Sequence, residues 1–341
     1  MRRPWGIALR SACAAAAVVA LLSSACGPTP SGGSSAASGS VPLRRVTLLL
    51  GFRPDVQFAP FYLAQQAGIY RQAGLEVAIE FKAAPDVMRL VANGTAQFGV
   101  ADATDVMIGR TSGIGIRYVS TLYRSFPVAL IGRSGKVPSR PAGLKGMRIG
   151  TPGRYGSSWA ALLAVLSAGG LSPTDVTVRE YPQFNQVDGL MRGDVDLITG
   201  FRNNEPLRLR ARGMAVAEMT VDRIAPLPGP GIIAGDRLLA ADPALVRAFA
   251  AATARAQAAV IADPESGLRA AESAVPAIKG DESTARAVLQ ATVGLWKGTG
   301  SLGPGRIDAS VWESGYATMR RLGFIDGSVP LESMIAPNVL G

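Results

Sequence analysis

The sequence of 341 residues contains no histidine and only two cysteines. Without histidine, the chain has no imidazole for Ser-His-Asp or Cys-His catalysis, for proton shuttling, or for a histidine-ligated zinc or iron site. Much of the common chemistry of hydrolases and metalloenzymes is therefore excluded, and we expect neither a metal nor a cofactor.

The chain also lacks a basic cluster, although its formal net charge is +10. Nucleic-acid-binding proteins gather lysine and arginine, interleaved with aromatic residues, on one face. The densest basic stretch, LRLRARG at residues 207–213, is typical of a solvated helix face. We therefore expect no nucleic-acid partner. The hydrophobic content of 48% is enough for one large domain or two ordinary ones.

Residues 1–25 have the pattern of a secretory signal peptide. A basic start precedes an apolar run from about Ala12 to Leu22 and then a stretch of small residues. This run is too short to span a membrane, which takes roughly 20 residues. Residues 26–43 then combine Cys26 with a tether rich in glycine and serine.

Cys26, between the signal and the tether, resembles the site at which bacterial lipoproteins are lipidated. Ser24 and Ala25 fit the usual preceding pattern, whereas Ser23 stands where leucine is expected. Plain signal cleavage near Ala25 is the alternative. Either process places the chain outside the cytoplasm, anchored to the cell membrane if Cys26 carries lipid and otherwise secreted or periplasmic.

From residue 44 onward, short β-rich runs alternate with helical runs, as they do in parallel α/β domains. The strand and helix pattern of residues 46–102 returns in residues 147–201. Four pairs of residues are separated by 99 positions: Gly51 and Gly150, Val77 and Val176, Gly94 and Gly193, Phe98 and Leu197. The repeat predicts two similar α/β lobes, lobe I at 44–125 and 228–341 and lobe II at 126–227.

The predicted lobes are joined by two extended crossings, which would serve as a hinge. Ligands of open parallel sheets bind beyond the carboxyl ends of the strands. Loop 52–58 should therefore face loop 151–157, and loop 101–105 should face loop 200–205. These four loops are expected to close on a small molecule in a cleft between the lobes.

Four stretches resemble one known family: FAPFYLAQQAGIYRQAGLEVAIE, LVANGTAQFGVAD, LKGMRIGTPGRYGSSW and NNEP. Over residues 46–263 the chain resembles the solute-binding proteins of ABC importers, in the superfamily shared by thiamine-pyrimidine-precursor, riboflavin and alkanesulfonate binding proteins. The resemblance implies an α/β fold with two lobes that close like a Venus flytrap, a monomer, and delivery of the ligand to a membrane permease and its ATPase. Some eukaryotic members synthesise the thiamine pyrimidine and consume a protein histidine, which this chain does not have.

The glycine-rich turn before residue 157 fits neither the dinucleotide fingerprint nor the P-loop, because its spacing is G-x-x-G-x-x-G. Ser157 and Ser158 would cap or begin the next helix, whose free N–H groups could bind an anion or a carbonyl oxygen. A simple cap is the alternative. Arg154 would approach the ligand or point into solvent.

The other candidates are polar and aromatic residues at predicted strand ends. Asn203, Asn204 and Glu205 could bind a planar ring that carries donors and acceptors, or form only an asparagine-rich turn. Asp102 and Asp105 could pair for acid–base or metal chemistry, but two carboxylates without further ligands are usually capping or solvated. Further polar candidates are Asp55 and Gln57. The candidates for ring stacking are Phe52, Phe58, Tyr123, Tyr155 and Phe201, some of which would instead belong to the core.

These patterns predict a lipid-anchored binding protein for import and not an enzyme. A heteroaromatic nutrient, such as a thiamine pyrimidine precursor or riboflavin, is the preferred ligand class. An aliphatic sulfonate, taurine or a nitrate-type anion is the alternative within the superfamily. An exported enzyme or a sensory module on the same fold is the alternative from a different class.

The first prediction concerns Cys26. Because Cys26 lies between an apolar signal core and a polar tether, we expect it to carry lipid, and Cys26→Ala should abolish metabolic labelling by a palmitate analogue. Cys13→Ala, within the signal, is the matched control and should keep the label. A label that persists in Cys26→Ala, or release of the wild type as free protein, would contradict the prediction.

Overall fold

Two five-stranded mixed sheets organise the chain. The computed structural model describes residues 42–298 and 300–340, so the predicted signal peptide, Cys26 and the tether up to residue 41 lie outside the described residues. The strands are β1 Arg44–Leu50, β2 Leu75–Phe81, β3 Phe98–Ala101, β4 Ile116–Thr121, β5 Val128–Arg133, β6 Arg148–Thr151, β7 Thr177–Glu180, β8 Leu197–Phe201, β9 Val216–Thr220 and β10 Gly231–Gly235.

Twelve α-helices accompany these strands in the described part of the chain. They are α1 Ala59–Gln66, α2 Ile69–Gln72, α3 Ala84–Ala92, α4 Ala103–Thr111, α5 Gly156–Ala168, α6 Gln186–Arg192, α7 Glu205–Ala211, α8 Asp236–Ala241, α9 Pro243–Ala262, α10 Pro264–Ala274, α11 Glu282–Lys297 and α12 Ala309–Arg321. Strands alternate with helices through most of the chain, which confirms the predicted α/β class.

The two sheets have the same topology. The first has the order β2-β1-β3-β10-β4, and the second has the order β7-β6-β8-β5-β9. In the first sheet β10 runs antiparallel to both of its neighbours, and in the second sheet β5 does so. The first predicted crossing contains β5, and the second contains β10. β5 is therefore part of the second sheet, although it follows the first repeat, and β10 is part of the first sheet, although it follows the second repeat. We call the part around the first sheet lobe I and the part around the second sheet lobe II. The residue ranges that the sequence analysis assigns to the two lobes stay a prediction.

The register of the strands corrects one detail of the predicted repeat. Leu48 of β1 lies opposite Phe98 of β3, whereas Ile149 of β6 lies opposite Leu197 of β8. The third strands are thus related by 99 positions but the first strands by 101, and the predicted equivalence of Gly51 and Gly150 was wrong. A shift of two residues leaves each side chain on the same face of its strand, so the hydrophobic pattern hid it.

The core of lobe I lies between its sheet and the helices α1, α9, α10 and α11. Phe249 of α9 stacks on Phe98, with ring centroids 3.9 Å apart, and on Tyr70 at 5.5 Å. By length and composition alone α9 could cross a membrane, but half of it is buried within the structure. This burial is typical of a core helix.

Asp-Pro pairs begin two of these helices. The Asp242 carboxylate accepts a hydrogen bond from the N–H of Leu245 at the start of α9, and Asp263 accepts from Glu265 and Ser266 in α10. In both helices proline holds the first helical position, where no N–H is needed.

The second prediction tests the role of α9 as a core helix. Phe249→Ala would leave a cavity beside Phe98 and Tyr70, and it should lower the free energy of unfolding by about 3–5 kcal/mol. Urea unfolding followed by circular dichroism would measure this change. Phe249→Leu is the control and should cost clearly less, since it keeps most of the apolar contact. A loss below about 1 kcal/mol for the alanine variant would contradict the packing described here.

Candidate functional site

A cleft lies where the carboxyl ends of the parallel strands of both sheets meet. It contains about 1090 Å³ of space free of atoms, including the open solvent at its mouth. Its described lining consists of Gly51, Phe52, Gln57, Phe58, Pro60, Phe61, Ala84, Val100, Ala101, Asp102, Asp105, Leu122, Tyr123, Pro152, Tyr155, Gly156, Ser158, Phe184, Gln186, Gly200, Phe201, Asn204, Glu205, Pro230 and Trp296. All four predicted loops contribute to this lining.

Aromatic rings form much of the wall. Phe52 of lobe I meets Phe184 of lobe II edge to face, with centroids 4.9 Å apart and ring planes at 84°. Tyr123 lies 6.2 Å from Phe201 and 6.4 Å from Trp296, again close to perpendicular. Such an arrangement presents ring faces and edges to a planar ligand.

One of these rings depends on an unusual backbone conformation, and the ring of Tyr155 depends on a close approach to a glycine. Among the described residues, Phe184 is the one non-glycine residue with a positive φ, at 55°. Strain of this kind costs about 1–3 kcal/mol and collects at functional sites. The ring of Tyr155 lies against Gly153, where a Cβ atom would stand 2.3 Å from the Tyr155 Cε1 atom.

The start of α5 is covered by two carboxylates from the other lobe. Asp102 Oδ2 accepts a hydrogen bond from the Ser157 N–H at 2.7 Å, and Asp105 Oδ1 accepts from the Gly156 N–H at 2.9 Å. Both aspartates belong to the start of α4. Both carboxylates therefore cap the start of α5, which agrees with the expected capping alternative, although Asp102 makes no cap hydrogen bond on its own helix.

These contacts also change the interpretation of the predicted anion site on α5. The N–H of Ser157 is not free, because Asp102 already holds it. Ser158 lines the cleft one residue further along, whereas Ser157 is not among the lining residues. Contact of either serine with a ligand remains a prediction.

Burial shifts the acidity of the two aspartates. It raises the pKa of Asp102, and the hydrogen bond from Ser157 partly offsets this rise. Burial and the neighbouring Asp102 charge raise the pKa of Asp105 to about 8, against the opposing hydrogen bond from Gly156. Near neutral pH the pair consequently tends to hold one proton.

A second polar contact between the lobes forms at Asp55. Its carboxylate accepts hydrogen bonds from Arg208 at 2.7 Å and from the Asn204 amide at 3.4 Å, and Arg208 also donates to the Asn204 oxygen at 2.6 Å. Asp55 is 3% exposed and does not line the cleft. The structure thus gives Asp55 a partner in lobe II, and its predicted ligand contact remains untested.

Asn203 and Arg154 also lie away from the cleft. The Asn203 amide donates to Thr292 Oγ1 at 2.8 Å, which links lobe II to α11. Arg154 pairs with Glu180 at 3.0 Å and lies over the ring of Trp159. Both residues therefore have protein partners, and Arg154 has the exposed position that was one of its two predicted orientations.

Glu205 is buried against the cleft wall at the start of α7. It is 7% exposed, accepts the Phe201 N–H at 2.7 Å, and receives a weaker contact from the Gln186 amide at 3.4 Å. Burial raises the pKa of Glu205 to about 6, although hydrogen bonds to its own and the Phe201 backbone and the charges of Arg208 and Arg53 lower it. The carboxylate can accept further hydrogen bonds, because it has about four lone-pair positions.

Phe184, Gln186 and Trp296 are among the lining residues that the sequence analysis did not predict. The first two follow β7, and the strand-end rule that selected the other loops would have found them had it been applied to this strand. Trp296 comes from α11, far along the chain, and carried no sequence signal. Gln186 is 1% exposed, and its Oε1 atom receives no hydrogen bond within the described residues.

The lining is acidic and not basic. It contains Asp102, Asp105 and Glu205, and no lysine or arginine appears among its described members. Two nearby arginines contact other side chains: Arg53 lies over the ring of Phe52, and Arg208 pairs with Asp55. In residues 42–298 and 300–340, no three histidine, cysteine, aspartate or glutamate side chains gather as a metal site.

Comparison with known proteins gives a consistent result. Residues 55–267 match the protein-family model described as NMT1/THI5 like. The chain is 33% identical over 328 residues to the riboflavin-binding protein RibY of Chloroflexus aurantiacus, a match that covers 92% of this chain and 93% of that protein. It is 30% identical over 185 residues to the 4-amino-5-hydroxymethyl-2-methylpyrimidine phosphate synthase of Legionella pneumophila, covering 54% of this chain and 57% of that one.

Among solved structures, the alkanesulfonate-binding protein SsuA from Xanthomonas axonopodis pv. citri bound to MOPS has a TM-score of 0.67. The match covers 86% of this chain and 98% of that one at 17% identity. A likeness at this identity shows the fold alone, and it confirms the predicted two-lobed periplasmic-binding-protein fold.

The third prediction follows from the raised pKa of Asp105. Between about pH 4 and pH 8 the folded chain holds a proton on Asp105 that the unfolded chain has released, so the free energy of unfolding should fall as pH rises. One full proton corresponds to a slope of about 1.4 kcal/mol per pH unit at most. Asp105→Asn should flatten this fall.

Urea unfolding of tag-free protein at pH 6, 7 and 8 would measure the slope. The range above pH 6 is the informative one. Glu205, with a pKa of about 6, has lost most of its proton there, and the chain has no histidine that would add its own slope. Asp222→Asn, which removes a surface carboxylate, should keep the wild-type slope. An equal slope in wild type and Asp105→Asn would contradict the assignment.

Proposed function

The chain belongs to the NMT1/THI5-like family, and we propose that it is an extracytoplasmic solute-binding protein of an ABC importer that binds a small heteroaromatic nutrient. A riboflavin-like molecule or a thiamine pyrimidine precursor is the proposed ligand class. The observation that carries the proposal is the cleft itself, where aromatic rings from both lobes surround side chains that accept hydrogen bonds.

The aromatic wall suits a flat ring more than a small anion. Phe52 and Tyr123 come from lobe I, while Phe184 and Phe201 come from lobe II. Aromatic pairs contribute about 0.5–1.5 kcal/mol each beyond the area they bury. A planar ligand between the lobes would contact both sides and so favour the closed arrangement.

The polar groups of the cleft favour a ligand with N–H or O–H donors. Glu205 and the Oε1 atom of Gln186 are both buried acceptors, and the latter receives no hydrogen bond from any residue in the described part of the chain. A hydrogen bond to a charged acceptor contributes roughly 1.5–3 kcal/mol. An aminopyrimidine or a flavin imide has such donors, whereas a sulfonate has none at its charged end.

The similarity to RibY supports the flavin side of this ligand class. That protein carries the name riboflavin-binding protein, and the match extends along almost the whole of both chains. Delivery to a permease and ATPase, the lipid anchor at Cys26 and a monomeric state complete the proposal. The resemblance of the sequence to lipoproteins and to import proteins supports these parts of it.

The anion alternative has support from the fold alone. Structural neighbours include sulfonate- and nitrate-binding proteins, at 12–19% identity among the neighbours with a TM-score of 0.65 or more. In this chain a sulfonate would face Glu205 and the Asp102–Asp105 pair. Like charges about 4 Å apart cost on the order of 4 kcal/mol at an effective dielectric near 20. We therefore rank an anion below a heteroaromatic ring.

An enzymatic function is the alternative that the pyrimidine phosphate synthases raise. Those relatives match over 54–64% of this chain at 25–30% identity. A synthesis that consumes a protein histidine cannot proceed in a chain without one. We accordingly propose binding and not catalysis.

The fourth prediction tests the ligand class through Glu205. Glu205→Gln should weaken a heteroaromatic ligand about 10- to 100-fold, because a charged acceptor becomes a neutral one. Calorimetry would compare hydroxymethylpyrimidine, formylaminopyrimidine, riboflavin, taurine and a longer alkanesulfonate on wild type and variant. Quenching of flavin fluorescence by the aromatic wall gives a second readout for riboflavin.

Glu218→Gln is the matched control, because Glu218 pairs with Arg210 on lobe II outside the cleft. Its ligand affinities should equal those of the wild type. The proposal would be abandoned in favour of the anion alternative if no ring compound bound and a sulfonate bound equally well, or better, to Glu205→Gln.

A further inference from the structure

The start of α5 is the natural position for an anion in this cleft. A helix of 13 residues presents free N–H groups and a partial positive charge at its first turn. In the structure two of these groups, the N–H of Gly156 and the N–H of Ser157, are bonded instead to Asp105 and Asp102 of lobe I. The protein's own carboxylates thus stand where a ligand anion would bind.

We propose that Asp102 and Asp105 determine the charge selectivity of the cleft by occupying the anion position on α5, so that uncharged ring ligands are accepted and anions are excluded. This inference rests on the proposed function, because it assigns a specificity role within the same cleft. It adds two residues and a mechanism that the proposed ligand class alone does not contain.

Asp102 has no local hydrogen-bonding role on its own helix, whereas Asp105 is an acidic residue in the first turn of that helix. Asp102 holds the N-cap position of α4, yet its side chain makes no cap hydrogen bond there. Its carboxylate bonds across the cleft to lobe II. Removal of the side chain should therefore leave the start of α4 intact while it exposes the start of α5.

The backbone at Gly156 allows the two carboxylates to reach the start of α5. Its φ is +69°, and a Cβ atom at this position would lie 2.9 Å from Asp102 Oδ2. A side chain here would keep the carboxylates away from the helix. The glycine thus permits both the turn and the approach of Asp102.

A separate observation indicates what the ligand offers in place of negative charge. Gln186 lines the same cleft at 1% exposure, and its Oε1 atom has no donor among the described residues. Glu205 beside it is also an acceptor. With the N–H groups of Gly156 and Ser157 occupied, the buried polar groups left for the ligand include two acceptors, Gln186 and Glu205, and one donor, the Trp296 indole N–H, which has no partner among the described residues.

The test compares two double variants that separate charge from hydrogen bonding. Asp102→Ala/Asp105→Ala removes the charges and frees both N–H groups, whereas Asp102→Asn/Asp105→Asn removes the charges but keeps an amide oxygen for each N–H. Asp222→Ala/Asp281→Ala removes two exposed carboxylates outside the cleft, so its change in net charge is at least as large. Sulfate and methanesulfonate are the probes, with binding measured by calorimetry at constant ionic strength.

We expect the alanine pair to bind sulfate or methanesulfonate at least about tenfold more tightly than the wild type. The asparagine pair should gain much less, and the control pair should gain nothing. An equal gain in all three would show a general charge effect and overturn the inference. No gain in the alanine pair would overturn it as well.

Two further measurements keep the result interpretable. Circular dichroism and thermal unfolding report whether each variant is folded. If the double alanine variant does not fold, the single variants Asp102→Ala and Asp105→Ala replace it. Each single variant should then show part of the gain in anion affinity. Riboflavin binding to the wild type is measured separately. If the wild type did not bind riboflavin, the proposed ligand would be refuted. A gain of anion binding in the alanine variants would still support the role of the aspartates.

Discussion

The exchange of one strand between the two repeats is the constraint on which the cleft depends. β5 follows the first repeat in sequence but lies between β8 and β9 of the second sheet, and β10 returns to lie between β3 and β4 of the first. Each sheet is therefore completed by an antiparallel strand from a crossing, held by a full ladder of hydrogen bonds. The two crossings connect the lobes, and residues at the carboxyl ends of parallel strands from both sheets line the cleft.

Both apolar and polar contacts join the two lobes across the cleft. Apolar rings meet across it at Phe52 and Phe184, while carboxylates of lobe I bind lobe II at the start of α5 and at Arg208. These contacts show a closed arrangement in which the protein provides its own partners between the lobes. A ligand must therefore contact the protein groups that those partners leave unsatisfied, which include ring faces and the buried acceptor of Gln186.

The same fold accommodates different ligands and even different chemistry, so the distinction must lie in particular side chains. Absence of histidine removes one kind of chemistry from the whole chain. An acidic lining without lysine or arginine among its described residues disfavours small anions. These two features of composition and placement limit what this chain can catalyse or bind on a shared architecture.

The sequence by itself determined the α/β class, the internal repeat, the two crossings and the loops at the strand ends, because hydrophobic periodicity and turn residues are local properties. It could not determine the register, since a shift of two residues in β1 relative to β6 preserves the same alternating pattern. Only the tertiary structure decided the partners of Asp55, Asp102 and Asp105, which lie 51 to 153 positions away along the chain. It also decided that Trp296 and Gln186 line the cleft, because burial and contact between distant segments follow from packing and not from the neighbouring residues.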